Sequence, residues 1–285
     1  MSPQADVMDL VAELKLRGEA FVLATVVRTV AVTAAKAGAK AVIMPDGTIT
    51  GGWIGGGCAR GAVLKAARDV LADRQPRLIS VQPPVELEAL GVAPGDNRGG
   101  ISFARNLCPS QGTMDIFVEA VMPHPALVIC GSSPVAVALS RLAAVMGYAV
   151  TVCAPQAEQS EFEHADTRIE GYALPVADKA ERFIVVSTQG KGDEAALLAI
   201  LVVDAPYKAF VGSRRKMASI REKLVGEGAD AAALDAVKAP AGADIGAISP
   251  EEIALSIFAE ITALRRQKLR AATARQEPVP PVTPP

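Results

Sequence analysis

Gly55-Gly56-Gly57-Cys58 leads straight into Ala59 to Asp73, a run of alanines, leucines and valines that reads as a helix. The glycines can turn backbone N–H groups toward an anion, and Cys58 stands at a helix N-terminus, where those groups favour a thiolate. A thiolate there could ligate metal or carry sulfur. The alternative is a small buried residue beside glycines needed for tight packing. Cys108, in Asn106-Leu107-Cys108-Pro109-Ser110, is a second candidate thiol in a polar loop. Cys130 and Cys153 end apolar runs and read as core, while His124 and His164 have no partner pattern for a metal or a triad.

Two further stretches carry polar chemistry. Ser187-Thr188-Gln189-Gly190-Lys191-Gly192-Asp193 supplies hydroxyls, glycines, an ammonium and a carboxylate before a helix, with Thr188, Gly190 and Asp193 as the candidate contacts. Gly212-Ser213-Arg214-Arg215-Lys216 places three cations in the first turn of the next helix, where the macrodipole disfavours positive charge. A bound anion would explain that arrangement, and a solvated basic turn is the competing reading. Gly131-Ser132-Ser133-Pro134 occupies the place of a dinucleotide-binding glycine turn, yet Ser133 replaces the second glycine of G-x-G-x-x-G. Cys153-Ala154-Pro155-Gln156 offers no acidic residue for a ribose. NAD binding is therefore disfavoured, and Ser133 is expected to act as a helix N-cap.

These residues need elements to hold them. Asp6 to Arg17 carries Val7, Leu10, Val11 and Leu14 on one helical face, and Gly18 stops it. Phe21 to Val27 and Lys40 to Met44 read as strands, with Pro45-Asp46-Gly47 turning into Thr48-Ile49-Thr50. Leu78 to Val81 and Met114 to Val121 are further strands, separated by Pro83 to Asn106, which reads as a long irregular loop. After Pro123-His124-Pro125, strands at Leu127 to Cys130, Ala149 to Cys153, Phe183 to Ser187 and Lys208 to Val211 alternate with helices, the signature of a parallel sheet. Ser249-Pro250-Glu251-Glu252 combines an N-cap, a first-turn proline and a capping-box glutamate before a helix from Ile253 to Arg266. The expected organisation is α/β: a mixed N-terminal domain at 1–122, a Rossmann-like parallel-sheet domain at 123–267, and a disordered Pro-rich tail at 268–285.

Composition narrows the function classes. Half of the 285 residues are hydrophobic and only 4% are aromatic, so cores of Ala, Val, Leu and Ile are expected. With 29 Lys+Arg against 31 Asp+Glu there is no basic excess to neutralise a phosphate backbone, so nucleic acid is not an expected partner. No apolar run reaches membrane-spanning length and the N-terminus is too acidic for a signal peptide, which predicts a cytoplasmic protein. The four cysteines form no C-x-x-C pair, arguing against a zinc knuckle or a dense disulfide framework.

In this order, the motifs resemble the XdhC/CoxF (XdhC-CoxI) family of accessory proteins for molybdenum hydroxylases. The resemblance is carried by Ala24-Thr25-Val26-Val27-Arg28, Gly38-Ala39-Lys40 with Asp46-Gly47, Gly55-Gly56-Gly57-Cys58, and Cys108-Pro109-Ser110-Gln111-Gly112-Thr113-Met114-Asp115-Ile116. It continues through Thr188 to Asp193, Val211 to Lys216, Asp244-Ile245-Gly246-Ala247 and Pro250-Glu251-Glu252-Ile253-Ala254. Thr33-Ala34-Ala35-Lys36-Ala37 departs from the family's pattern before Gly38, and Cys108-Pro109-Ser110 is similar to the carbon monoxide dehydrogenase branch. The resemblance implies a non-catalytic, dimeric chaperone. It would bind molybdenum cofactor transiently, as molybdopterin or its cytosine dinucleotide, and shield it while a cysteine desulfurase supplies sulfur. It would then deliver the cofactor to an apo molybdenum hydroxylase. The alternatives are an NAD(P)-dependent oxidoreductase and an assembly scaffold that binds no cofactor.

Overall fold

The computed structural model describes residues 6–109, 111–174 and 181–274. The chain divides into two compact units, the first comprising the described residues up to Pro123 together with the end of the last helix from Lys268, the second His124–Gln267.

The first unit opens with α1 (Val7–Leu16), whose N-cap Asp6 accepts a hydrogen bond from the Met8 N–H. Then come β1 (Phe21–Val30), β2 (Lys40–Ile43), β3 (Ile49–Gly52), α2 (Gly57–Asp73), β4 (Arg77–Gln82), α3 (Pro84–Ala89), β5 (Asn97–Arg98), β6 (Ile101–Arg105) and β7 (Thr113–Val121). The strands form one mixed sheet in the order β3-β2-β1-β7-β4-β6-β5. Strand alternation sorts its side chains. Val22, Ala24 and Val26 join Ile79, Val81, Ile116 and Val118 under α2, whereas Phe21 and Val42 meet Val11 and Leu14 of α1 on the opposite face. Burying each such Val or Ile contributes about 1.5–3 kcal/mol, so α2 is pinned by its apolar stripe of Ala59, Val63, Ala66, Ala67 and Val70.

The stretch from Pro83 to Asn106 is not an irregular loop. It holds α3, which buries Leu87, and β6, which pairs parallel to β4 and buries Phe103. Its glycines and prolines hide the short apolar alternation at Ile101 and Phe103, and the open edge of β4 supplies the partner that this alternation needs.

The second unit contains β8 (Ala126–Cys130), α4 (Pro134–Val145), β9 (Ala149–Ala154), a 3₁₀ turn (Gln156–Glu158), β10 (Thr167–Glu170), β11 (Arg182–Val186), α5 (Asp193–Leu201), β12 (Tyr207–Phe210), α6 (Arg214–Gly226), α7 (Ala231–Asp235) and α8 (Pro250–Ala274). Its five strands are parallel throughout, in the order β10-β9-β8-β11-β12. This is the Rossmann-like sheet expected from the alternation, with β10 as an additional edge strand. Ala136 and Leu139 of α4 and Ile257 and Ile261 of α8 cover one face, and Leu197, Ile220 and Leu234 of α5, α6 and α7 cover the other. Cys130 and Cys153 are in-register neighbours buried on that second face. The α8 cap forms as the sequence indicates: Glu252 Oε2 accepts from the Ile248 and Ser249 N–H groups, and Ser249 Oγ accepts from the Glu252 N–H. The helix continues through 268–274, where the composition had placed the beginning of a tail; residues 275–285 lie outside the described residues.

Candidate functional site

In an open parallel sheet, the loops at the carboxyl ends of the strands converge, and the order here reverses between β8 and β11. The loop after β11 and the turn after β12 meet through one carboxylate. Asp193, the first residue of α5, is buried and accepts hydrogen bonds from Thr188 Oγ1 and from the Gly190 N–H at 3.2 Å. Lys216 Nζ reaches it at 2.5 Å and also lies 5.3 Å from the centre of the Phe210 ring. Burial pushes the Asp193 carboxyl up, but the hydrogen bonds from Lys216 and Thr188 and the attraction of Lys216 outweigh it, holding the group below the usual carboxylate range. Gly192 has φ +88°, and a Cβ on it would lie 2.6 Å from the Tyr172 hydroxyl, so this loop can close only with glycine there. Thr188, Gly190 and Asp193 thus satisfy one another, and one of the three adjacent cations, Lys216, already has its counter-ion.

The remaining two cations are exposed, and neither makes an ion pair among the described residues. Ser213 caps α6, its Oγ accepting from the Lys216 N–H at 3.2 Å. Gly212 is held against the Phe210 ring, where a Cβ would meet Cε1 at 2.3 Å. Gly212, Ser213 and Arg214 line a cavity of about 550 Å³, but Arg215 does not. The same cavity is lined by the segment from Lys238 to Ala247, including Asp244, Ile245 and Gly246, together with Ile253 and Ser256 of α8. In the sequence, Asp244–Ala247 stands out as a family-like motif but carries no evident role. The signal for one is the glycine on either side of Asp244, Gly242 and Gly246, both of which take positive φ in the structure.

The Gly131 turn is closed by hydroxyls. Ser133 Oγ caps α4 by accepting from the Ala136 N–H at 3.2 Å and lies 2.6 Å from Ser187 Oγ. A Cβ on Gly131 would come within 2.4 Å of the Ser187 carbonyl oxygen. No acidic residue stands in Cys153–Gln156, but two positions later Glu158, on the 3₁₀ turn, accepts a hydrogen bond from Ser132 Oγ. A strand-end template overlooks it because the turn shifts the side chain beyond the expected position.

In the first unit, Gly56 is the N-cap of α2 and makes no side-chain capping bond, Gly57 begins the helix, and Cys58 follows in its first turn. Gly55 has φ +112° and packs against Met114. The half-buried Cys58 Sγ accepts a hydrogen bond from the Leu107 N–H at 3.4 Å, which brings Cys58 beside the segment carrying the exposed Cys108. That segment is anchored by buried Asn106. Its Nδ2 donates to the Gly112 carbonyl at 2.6 Å, its Oδ1 accepts from the Cys108 N–H at 2.9 Å, and its own N–H donates to the Gln82 carbonyl at 2.6 Å. A polar chain continues across the sheet: Gln82 Nε2 donates to Ser80 Oγ, Ser80 Oγ donates to Asp115 Oδ1, and Arg28 Nε reaches Asp115 Oδ2 at 2.5 Å. Arg28 and Asp115, both within family-like motifs, therefore tie β1 to β7.

Fold and sites define a two-unit α/β protein with a glycine–cysteine helix start in one unit and a Rossmann-type parallel sheet with a basic turn in the other. Residues 127–261 match the family model described as the XdhC Rossmann domain, and residues 14–82 match that of the XdhC and CoxI family. Together the two models cover more than two thirds of the chain, which belongs to the XdhC family. It is 27% identical over 233 residues to an uncharacterized protein, YqeB, of Escherichia coli (strain K12), covering 78% of this chain and 40% of that protein. It is 26% identical over 163 residues to a probable xanthine dehydrogenase subunit of Bacillus subtilis (strain 168), covering 54% of this chain and 47% of that one. The chain thus spans less than half the length of these curated relatives. Among solved structures, a xanthine dehydrogenase from Bacillus halodurans aligns with a TM-score of 0.44 at 18% identity, covering 91% of this chain and 96% of that chain. No helix among the described residues is long and apolar enough to cross a membrane.

Proposed function

We propose that this protein is a maturation factor for a molybdenum hydroxylase: it binds molybdenum cofactor as cargo, holds it during sulfuration by a cysteine desulfurase, and delivers it to the apo-enzyme, acting as a homodimer and without turnover of its own. The observation that carries this reading is the cavity of about 550 Å³ whose wall begins at the basic turn of α6. Its volume falls in the range of small-molecule sites, roughly 300–1,000 Å³. Its donors suit a phosphate-bearing heterocycle. Arg214 offers a two-pronged donor, and the first N–H groups of α6 face the same end. Because Asp193 neutralises Lys216 and Glu260 pairs with Lys238, the attraction for an anion in the cavity falls chiefly to Arg214, with Arg215 next to it outside the lining. Cys58 and Cys108, both in the first unit, are thiols whose chemistry suits metal or sulfur handling.

The nicotinamide alternative is disfavoured by Ser133, whose side chain fills the place where a second glycine would let pyrophosphate approach. The test is purification with the partner hydroxylase, followed by assay of bound molybdenum and of pterin fluorescence. Co-retention of both near one equivalent is expected. Retention of a nicotinamide nucleotide instead would make the protein an oxidoreductase, and retention of neither would make it a scaffold.

A further inference from the structure

We infer that Cys58 and Cys108 form a single dithiol site that grips one soft, thiophilic centre through both sulfurs. The proposal rests on the cargo reading above only for the identity of the native ligand. Four observations lead to it. The Leu107 N–H is 3.4 Å from Cys58 Sγ, so Cys108 begins one residue away from that sulfur. Asn106 is buried and devotes both ends of its amide to this segment, one to the Gly112 carbonyl and one to the Cys108 N–H. Gly112 is wedged so tightly that a Cβ would fall 2.3 Å from the Val32 carbonyl oxygen. Finally, the Leu107 side chain is 68% exposed and Cys108 is exposed as well. A buried amide that fixes an exposed cysteine beside another thiol is an arrangement for presenting sulfur, because packing alone needs no such anchor.

The chemistry of the donor set indicates the kind of ligand. Structural metal sites close around an ion with about four protein donors. Here no group of three or more His, Cys, Asp or Glu side chains that could hold a metal occurs among the described residues. Two thiolates leave most coordination positions unfilled. They suit a thiophilic centre that arrives with ligands of its own and must leave again.

Phenylarsine oxide tests the pairing directly, since one arsenic forms two As–S bonds, both thiol protons leave with its oxygen as water, and no redox change occurs. Wild-type protein should bind one equivalent that survives excess monothiol and is released by 2,3-dimercaptopropanol. Cys58→Ser and Cys108→Ser should each weaken retention at least about tenfold, because the second bond forms at the high effective concentration of a tethered thiol. Cys153→Ser should leave retention unchanged. In wild-type protein, which requires no variant to fold, the arsenical should protect Cys58 and Cys108 together from N-ethylmaleimide. Retention unchanged in either single variant, or protection of one cysteine without the other, would overturn the pairing. No molybdenum or pterin enters this experiment, so the dithiol can stand if the cargo reading falls, and the reverse.

Discussion

The starts of α2 and α6 solve the same physical problem in opposite ways. Both present unpaired backbone N–H groups and the positive end of a helix dipole. At α6, Ser213 caps the end, an acid–base bracket of Asp193 and Lys216 stiffens it, and two exposed guanidinium groups make no ion pair among the described residues. At α2, the cap is Gly56, no side chain occupies the N–H groups, and the nearest functional atom is sulfur. One end carries exposed charge and the other a half-buried sulfur. A helix N-terminus is therefore a general attractor, and its selectivity comes from the side chains that neighbouring loops place there.

The largest effect should come from the soft end. Cys58→Ser keeps the shape and removes the sulfur, so maturation of the partner hydroxylase should fall to background, read as hydroxylase activity after co-expression. Wild-type levels of maturation would reduce Cys58 to a packing residue.

Next comes the charged end. Arg214→Ala with Arg215→Ala should weaken cofactor binding by about 1.5–3 kcal/mol per charged hydrogen bond lost, while leaving the circular dichroism unchanged. Since Arg214 lines the cavity and Arg215 does not, Arg214→Ala alone should account for most of the loss. Added salt should weaken wild-type binding and have little effect on the double variant. Equal affinities at low and high ionic strength would make the turn a solvated surface.

The bracket can be broken separately. Asp193→Asn should destabilise the second unit by about 1.5 kcal/mol in urea denaturation, the worth of a charge-assisted hydrogen bond. Wild-type stability should also depend on acid. The unfolded chain protonates this carboxyl near its ordinary pKa of about 4, while the folded protein holds it ionised lower, so acidification favours unfolding. The contribution is fully present at neutral pH and fades as pH drops through the carboxylate range toward the depressed folded value. Asp193→Asn should remove that part of the pH slope, and an unchanged slope would assign it to other carboxylates.

The smallest effect sharpens the comparison most. Gly56 has φ −81°, and nothing lies within 4 Å of a Cβ placed on it, so Gly56→Ser can cap α2 as Ser213 caps α6. Stability should rise by a few tenths of a kcal/mol. Ligand retention at the thiol end should fall, because the new hydroxyl competes for the N–H groups. A gain in both would show that the open cap is not used.

The sequence by itself determined the elements whose signals are local. Periodicity placed α1, alternation placed four of the five strands of the parallel sheet, and Ser249 with Glu252 announced the start of α8, because a cap and an amphipathic stripe are written within a few residues. It also picked out both helix starts, since a glycine run before Cys58 and three adjacent cations after Ser213 are visible without any partner. Only the tertiary structure decided what surrounds them. That Lys216 is neutralised by Asp193, 23 positions earlier, depends on two loops meeting at the end of a parallel sheet. Glu158 reaching Ser132, Leu107 donating to Cys58, and β6 finding the edge of β4 are likewise long-range pairings. Each is set by strand order and by which polar groups burial forces to find partners, and that information lies in the packing of the whole unit, not in any short stretch of chain.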